Sequence, residues 1–301
     1  MKNTQIFIRS LIYISVRILH VVVSCLPWNL SVRIGSVTGF ISYYLLRAPR
    51  RIVCSNLALA FIEKSPSEIK KIAREVFSNQ GENLFELLSF GKLNAQRVKK
   101  LVNAQGLEHL DKALEKKKGV LLLSGHIGNW ELLGAYLSLV GYPISVIARR
   151  VYDERLNKLL VDIRQSKGVM CVLRDESSKQ LLRCLRSNRA LGVLIDQDTK
   201  VQGVFVDFFG RKAYTPQGLA TLALRTGAAV VPSFIVRDGY KHKIILKEEL
   251  SLTHSGDEAK DLEINTQTFT KIIEEVIRQH PSQWVWMHER WKTRPEDIAD
   301  K

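Results

Sequence analysis

Gly119-Val120-Leu121-Leu122-Leu123-Ser124-Gly125-His126-Ile127-Gly128-Asn129-Trp130-Glu131 is the stretch from which this chain is best read. Val120 to Ser124 is short, apolar and partly β-branched, which predicts a core strand. Trp130 to Val140 is interrupted only by Gly134 and reads as a helix. Between them Gly125 and Gly128 bracket His126, so the backbone there can turn tightly and approach a ligand closely. Two residues five apart on one helix point about 140° from each other at ~3.6 residues per turn, so His126 and Glu131 would not meet if both were helical. With His126 in the loop and Glu131 in the first turn, the imidazole folds back over the helix start. Glu131 then accepts a hydrogen bond from one ring nitrogen and leaves the other to take a proton. A carboxylate is favoured in a first turn, and the amides of Gly128 and Asn129 are placed to face a developing oxyanion. His126 and Glu131 are the expected catalytic pair, with Asn129 as a substrate contact.

Several common chemistries fail on spacing. There is no His-Glu-x-x-His, and His288-Glu289 lacks the second histidine. No Gly-x-Ser-x-Gly elbow and no Walker loop occur. Cys25, Cys54, Cys171 and Cys184 lie far apart without a Cys-x-x-Cys pair, which speaks against a disulfide framework or a thiolate metal site.

Outward from the central stretch, strands and helices alternate. Strands are expected at Ile144–Ala148, Val169–Val172, Ala190–Ile195, Ala229–Val236 and Lys243–Leu246. Helices are expected at Ser67–Leu88, Leu107–Lys118, Tyr152–Lys167, Ser177–Ser187, Pro216–Thr226 and Asn265–Gln279, and a polar loop follows residue 195. This alternation predicts an α/β fold with a mixed, largely parallel central sheet flanked by helices. Ligands in such sheets sit at the carboxyl ends of the strands. Arg149 and Arg150 follow one such end, and Asp196 and Asp198 follow another, so all four join His126 as candidates. Two aspartates without a third ligand do not make a metal site, and neither a metal nor a cofactor is expected.

The 301 residues carry 45 Lys plus Arg against 30 Asp plus Glu, a formal charge of +15, which favours anionic partners. With only 8% aromatic residues and no nucleic-acid motif, nucleic acid is not expected to be the partner. No acidic residue precedes Glu63, whereas seven basic ones do, and residues 5 to 26 are strongly apolar with a polar stripe through Gln5, Arg9, Tyr13, Arg17, His20 and Ser24. This predicts an uncleaved anchoring helix at a membrane interface. A second apolar run, Val37 to Leu46, ends in the basic Arg47 to Arg51 and suits an anionic membrane surface. Residues 1–62 are accordingly expected to form the anchor and 63–301 the catalytic domain.

Read in order, the segments resemble the bacterial lipid A biosynthesis acyltransferases, the late lauroyl and myristoyl transferases. The resemblance rests on the apolar anchor, Arg51-Ile52-Val53-Cys54-Ser55-Asn56-Leu57-Ala58-Leu59-Ala60-Phe61, the His126-x-x-x-x-Glu131 motif and Asp196-Gln197-Asp198. It continues through Val206-Asp207-Phe208-Phe209-Gly210, Thr215-Pro216, Val231-Pro232 and the tail Trp284 to Pro295. It implies a glycerolipid-acyltransferase-like fold. It also implies transfer of a fatty acyl chain from acyl carrier protein to a hydroxyl of a lipid A precursor of the Kdo-lipid IVA type, at the cytoplasmic face of the inner membrane. In this resemblance His126 is the general base, Glu131 its orienting partner, and Arg164 and Asp196 the further functional positions. Another membrane glycolipid or aminolipid as acceptor is the alternative; a non-enzymatic basic membrane or nucleic-acid-binding protein is a remote one.

Overall fold

The computed structural model describes residues 2–173 and 178–299. Four helices come first: α1 (Lys2–Cys25), α2 (Trp28–Leu45), α3 (Arg47–Ala60) and α4 (Pro66–Leu88). Then follow α5 (Ala95–Leu101), β1 (Val102–Gln105), α6 (Leu107–Glu115), β2 (Val120–Ser124), α7 (Trp130–Leu139), β3 (Ile144–Ala148), α8 (Glu154–Gln165), β4 (Met170–Leu173), α9 (Ser178–Arg186) and β5 (Ala190–Leu194). The chain continues through β6 (Gly203–Phe208), β7 (Arg211–Pro216), α10 (Gly218–Thr226), β8 (Ala229–Asp238), β9 (Lys241–Leu246) and α11 (Glu258–Gln279).

Seven strands form one sheet in the order β1-β9-β8-β2-β5-β3-β4. Every pairing is parallel except β8 with β9, which a tight turn at Asp238–Lys241 joins as an antiparallel pair. The mixed, largely parallel sheet expected from the alternation is therefore present. The expected polar loop after residue 195 is instead a separate antiparallel hairpin, β6–β7. Its buried positions alternate with solvated ones too briefly to stand out in sequence.

Two apolar cores lie on opposite faces of the sheet. One holds α3, α10, α11 and the buried Trp284 and Trp286. The other holds Val23 of α1, Trp28 and Val32 of α2, Leu132, Leu133 and Leu137 of α7, and Ile144 and Val169. The helices α2 and α3 thus pack into the body of the protein. Helix α1 is different: Phe7–Cys25 is long and apolar enough to cross a membrane, with a mean hydropathy of 1.6, and only 6% of that window is buried. Its outer side exposes Phe7, Leu11, Ile14, Ile18 and Val21, and α2 adds Val37, Phe40, Ile41 and Leu45.

Helix α4 begins at a capping box. Ser65 Oγ accepts from the Glu68 backbone N–H, and the Ser65 N–H donates to the Glu68 carboxylate at 2.8 Å. It crosses α2 with the two backbones touching. A Cβ on Gly81 would stand 2.0 Å from the Gly35 carbonyl oxygen, and one on Gly39 would stand 2.2 Å from the Phe77 carbonyl oxygen. Glycines four apart on α2 permit this approach, as small residues do wherever helix backbones meet. Neither obstacle is a side chain that can swing away. Gly81→Ala is therefore expected to destabilise the fold by at least ~1–3 kcal/mol, the usual cost of overpacking. Thermal unfolding in detergent will show it as a lowered Tm.

Candidate active site

Strand register brings the first two site residues together. In the β2–β5 pair, Ser124 lies opposite Leu194. His126 and Asp196 each stand two residues beyond those ends, so both emerge at the same point of the carboxyl edge. Asp196 Oδ1 lies 2.8 Å from His126 Nδ1, and Oδ2 accepts both the His126 backbone N–H at 2.7 Å and the Trp284 indole N–H at 2.6 Å. Because an ionised carboxylate only accepts, Nδ1 carries the hydrogen. Nε2 then has the lone pair, and no side chain among the described residues occupies it. The imidazole side chain is 23% exposed while Asp196 is sealed. Burial by itself would raise the Asp196 carboxyl; the His126 charge and the three donated hydrogen bonds outweigh it and hold the group at about 2. For His126, burial lowers the value, but the charge and hydrogen bond of Asp196, then the charge of Glu131, raise it above its ordinary value.

Glu131 does not hold the His126 ring; the expected orienting contact belongs to Asp196. At the second position of α7 its carboxylate swings to α8, where Arg164 grips it with a two-point fork, Nε at 2.8 Å and Nη2 at 2.5 Å. Burial lowers the Arg164 guanidinium and the Glu131 hydrogen bonds and charge more than restore it, so the group stays raised. The ring of Trp130, between the two carboxylate-bound groups in sequence, meets the His126 ring edge-on with centroids 5.0 Å apart.

Two other expected substrate contacts are buried and engaged elsewhere. Asn129 is the N-cap of α7: its Oδ1 accepts the Leu132 N–H at 3.0 Å and its Nδ2 donates to Glu86 at 2.7 Å. Asp198 accepts the backbone N–H and hydroxyl of Thr293 and so fastens the tail segment after Trp291. The Gly128 N–H, proposed as an oxyanion donor, is taken by the Gln283 carbonyl at 2.9 Å. Gly128 itself has φ +56°, and a Cβ there would stand 2.2 Å from the Ile235 carbonyl oxygen, so only glycine fits.

His126, Glu131, Arg149 and Arg164 line one cavity of about 160 Å³, a size that admits a benzene-sized apolar molecule elsewhere. Its walls are otherwise almost entirely apolar, including Leu122, Leu133, Leu137, Ile144, Val146 and Val169. From Ala148 down to Ile144 it follows four steps of β3, or ~13 Å at ~3.3 Å per residue. It is a mostly apolar cavity with an imidazole, two guanidinia and a carboxylate along it.

Residues 1–293 match the family described as bacterial lipid A biosynthesis acyltransferase. The chain belongs to that family. It is 27% identical to a lipid A biosynthesis lauroyltransferase of Escherichia coli strain K12 over 97% of this chain and 94% of that one. It is 26% identical to the palmitoleoyltransferase of the same organism over 90% and 87%. A phosphatidylinositol mannoside acyltransferase of Mycobacterium tuberculosis is 33% identical over 190 residues, 62% of this chain, and the match spans 58% of that relative's length.

Trp284 and Asn129's link to Glu86 were not anticipated as parts of the site. Trp284 had a signal in the Trp284-Val285-Trp286 run, which sits on the edge opposite His126: Ile127 bridges Trp284, and the Val285 N–H donates to the His126 carbonyl. Asp196→Asn removes the charge that raises His126. The His126 titration, followed by histidine NMR, is expected above ~6.5 in the wild type and lower in the variant. An unchanged midpoint would assign the shift to another group.

Proposed function

We propose that this protein transfers a fatty acyl chain from acyl carrier protein to a hydroxyl of a lipid A precursor, with His126 as the general base. The observation that supports it most is the Asp196-held imidazole opening onto an apolar slot that runs along β3. Nε2 takes the proton from the acceptor hydroxyl as its oxygen attacks the thioester carbonyl carbon. Collapse of the tetrahedral species breaks the C–S bond, and the imidazolium returns the proton to the departing thiolate sulfur. A thioester is already activated, so no covalent enzyme intermediate is needed. Asp196 holds the tautomer and the growing positive charge on the ring. Arg164 and Glu131 form a fixed ion pair beside the chain, and Arg149 offers an exposed cation to phosphate on donor or acceptor.

The apolar outer sides of α1 and α2, with Arg47, Arg50 and Arg51 at their end, support attachment of residues 1–62 to an anionic membrane surface. Arg9 bonds the Tyr152 hydroxyl, and Arg155 reaches Ser10 and covers the Tyr13 ring at 4.7 Å, which keeps α1 alongside the domain rather than away from it. A cytosolic donor places the site at the cytoplasmic face of the inner membrane. The similarity to a mannoside acyltransferase supports one second reading, acylation of another membrane glycolipid, with the same base and slot.

Purified protein, a panel of acyl carrier donors, and lipid A precursor beside a mannosylated phospholipid distinguish these by product mass. His126→Ala is expected to lose ~10²–10⁴-fold in rate, the worth of a positioned base. Because His126 must be deprotonated to act, kcat/KM should rise with pH through a midpoint above ~6.5, and Asp196→Asn should move that midpoint down as well as the rate. Full activity of His126→Ala would remove the base from the mechanism.

The slot itself generates a further expectation. Gly134 faces Val146 and Val169, and a Cβ there would meet them at 3.9 Å, an ordinary contact. Gly134→Ala should fold and turn over normally, whereas Gly134→Leu should fill the slot and shift donor preference to shorter chains. The ratio of rates across donors of different length measures this directly.

A further inference from the structure

On the side of the loop away from Asp196 lies a second buried charge that the chemistry above does not use. Glu86, in the last turns of α4, is fully buried. Its Oε1 accepts Arg237 Nη1 at 2.8 Å and lies 2.9 Å from His242 Nε2. Its Oε2 accepts Arg237 Nη2 at 2.7 Å and Asn129 Nδ2 at 2.7 Å. Arg237 and His242 face each other across the β8–β9 pair, so one carboxylate joins α4, both strands and the loop after β2. One turn earlier on α4, Asn83 donates to the Gly128 carbonyl at 2.7 Å and accepts from Arg237 Nη2 at 3.0 Å. Burial would raise the Glu86 carboxyl, yet the charges and hydrogen bonds of His242 and Arg237 hold it well below the usual carboxylate range.

The consequence lies in the Asn129 amide. Its oxygen must face the Leu132 N–H to cap α7, and its nitrogen must then face inward. A carboxylate, which only accepts, is the partner that imposes this orientation. α7 begins at Trp130 and Glu131, whose side chains stand beside the His126 ring and in the slot. We propose that Glu86 is a positioning residue for the acyl-transfer reaction: through Asn129 it sets the start of α7, and with it Trp130 and Glu131, against His126. This rests on the reading of the site given above. Glu86 touches neither substrate nor the reacting atoms.

Glu86→Gln puts an amide NH₂ among donors. Asn129→Asp puts a second carboxylate against the first. The double variant restores one donor facing one acceptor: the introduced glutamine amide donates to the introduced aspartate, whose carboxylate still caps the Leu132 N–H. Asn129→Ser retains a good N-cap but has no arm to reach Glu86. In full-length protein, each single variant is expected to lose about tenfold or more in kcat with KM little changed, as small misplacements of catalytic groups do. The double variant should recover most of that loss. If Asn129 matters only as a cap, Asn129→Ser will match the wild type and the proposal falls. It falls equally if the double variant is no better than the worse single.

A second readout does not need turnover. The Trp130 ring lies beside the His126 imidazole, so its ring current sets the His126 Cε1–H chemical shift. That shift should move in the folded single variants and return in the double. A signal unmoved in Glu86→Gln and Asn129→Ser overturns the proposal, whatever the reaction proves to be. Wild-type protein inactive with every donor would instead remove the acyl-transfer reading and leave this positioning result to stand or fall by the spectra.

Discussion

The Asp196 carboxylate is the constraint on which the site depends. It is buried, charged and held by three donors from two parts of the chain: the His126 ring, the His126 backbone and the Trp284 indole. A buried carboxylate without partners would cost several kcal/mol, and the Trp284 indole of the tail supplies one of the donors that offset this. The same carboxylate fastens the tail through Oδ2 and selects the histidine tautomer through Oδ1.

The loop from Gly125 to Asn129 is gripped from both sides. Asp196 and Trp284 hold its beginning, and Asn83 and Glu86 hold its end. The two carboxylates do different work because their neighbours differ. Asp196 faces a half-open imidazole that can gain and lose a proton. Glu86 faces Arg237, whose guanidinium is raised by Glu86 and Glu82 although burial opposes it. In the proposed mechanism the first pair follows the reaction, and in the proposed positioning role the second stays charged and holds geometry.

Local pattern made β2, β3, α7 and the edge position of His126 legible, since short apolar runs that follow Gly or Pro turn residues leave few alternatives. Asp196, Arg149 and Arg164 were legible as positions, the last only by resemblance. Their pairings were not. Glu131 is near His126 in sequence, but helix geometry turns its side chain toward α8, while the distant Asp196 arrives by parallel register. Register between strands 70 residues apart is a tertiary property that no local period encodes. Asn129 and Asp198 were misread for a related reason: a polar side chain at a strand end serves a cap or a tail as readily as a ligand. The Gly35–Gly39 crossing of α4 also depends on a partner helix far away in sequence, whereas the β6–β7 hairpin is local and its alternation is too short to stand out.

The slot and the two amino-terminal helices belong to one apolar layer. Val23, Trp28 and Val32 share their core with Leu133, Leu137, Ile144 and Val169, which wall the slot, whereas the carboxyl-terminal tryptophans lie across the sheet. In the proposed reaction, this puts the hydrocarbon on the membrane side of the sheet. The polar partners of the reaction meet it only at the carboxyl edge, where His126 stands. A donor chain seated in the slot then lies in the same apolar layer as the amino-terminal helices. Its reactive end is the part brought to the imidazole. The two amino-terminal helices and the slot that reaches His126 are thus parts of the same layer.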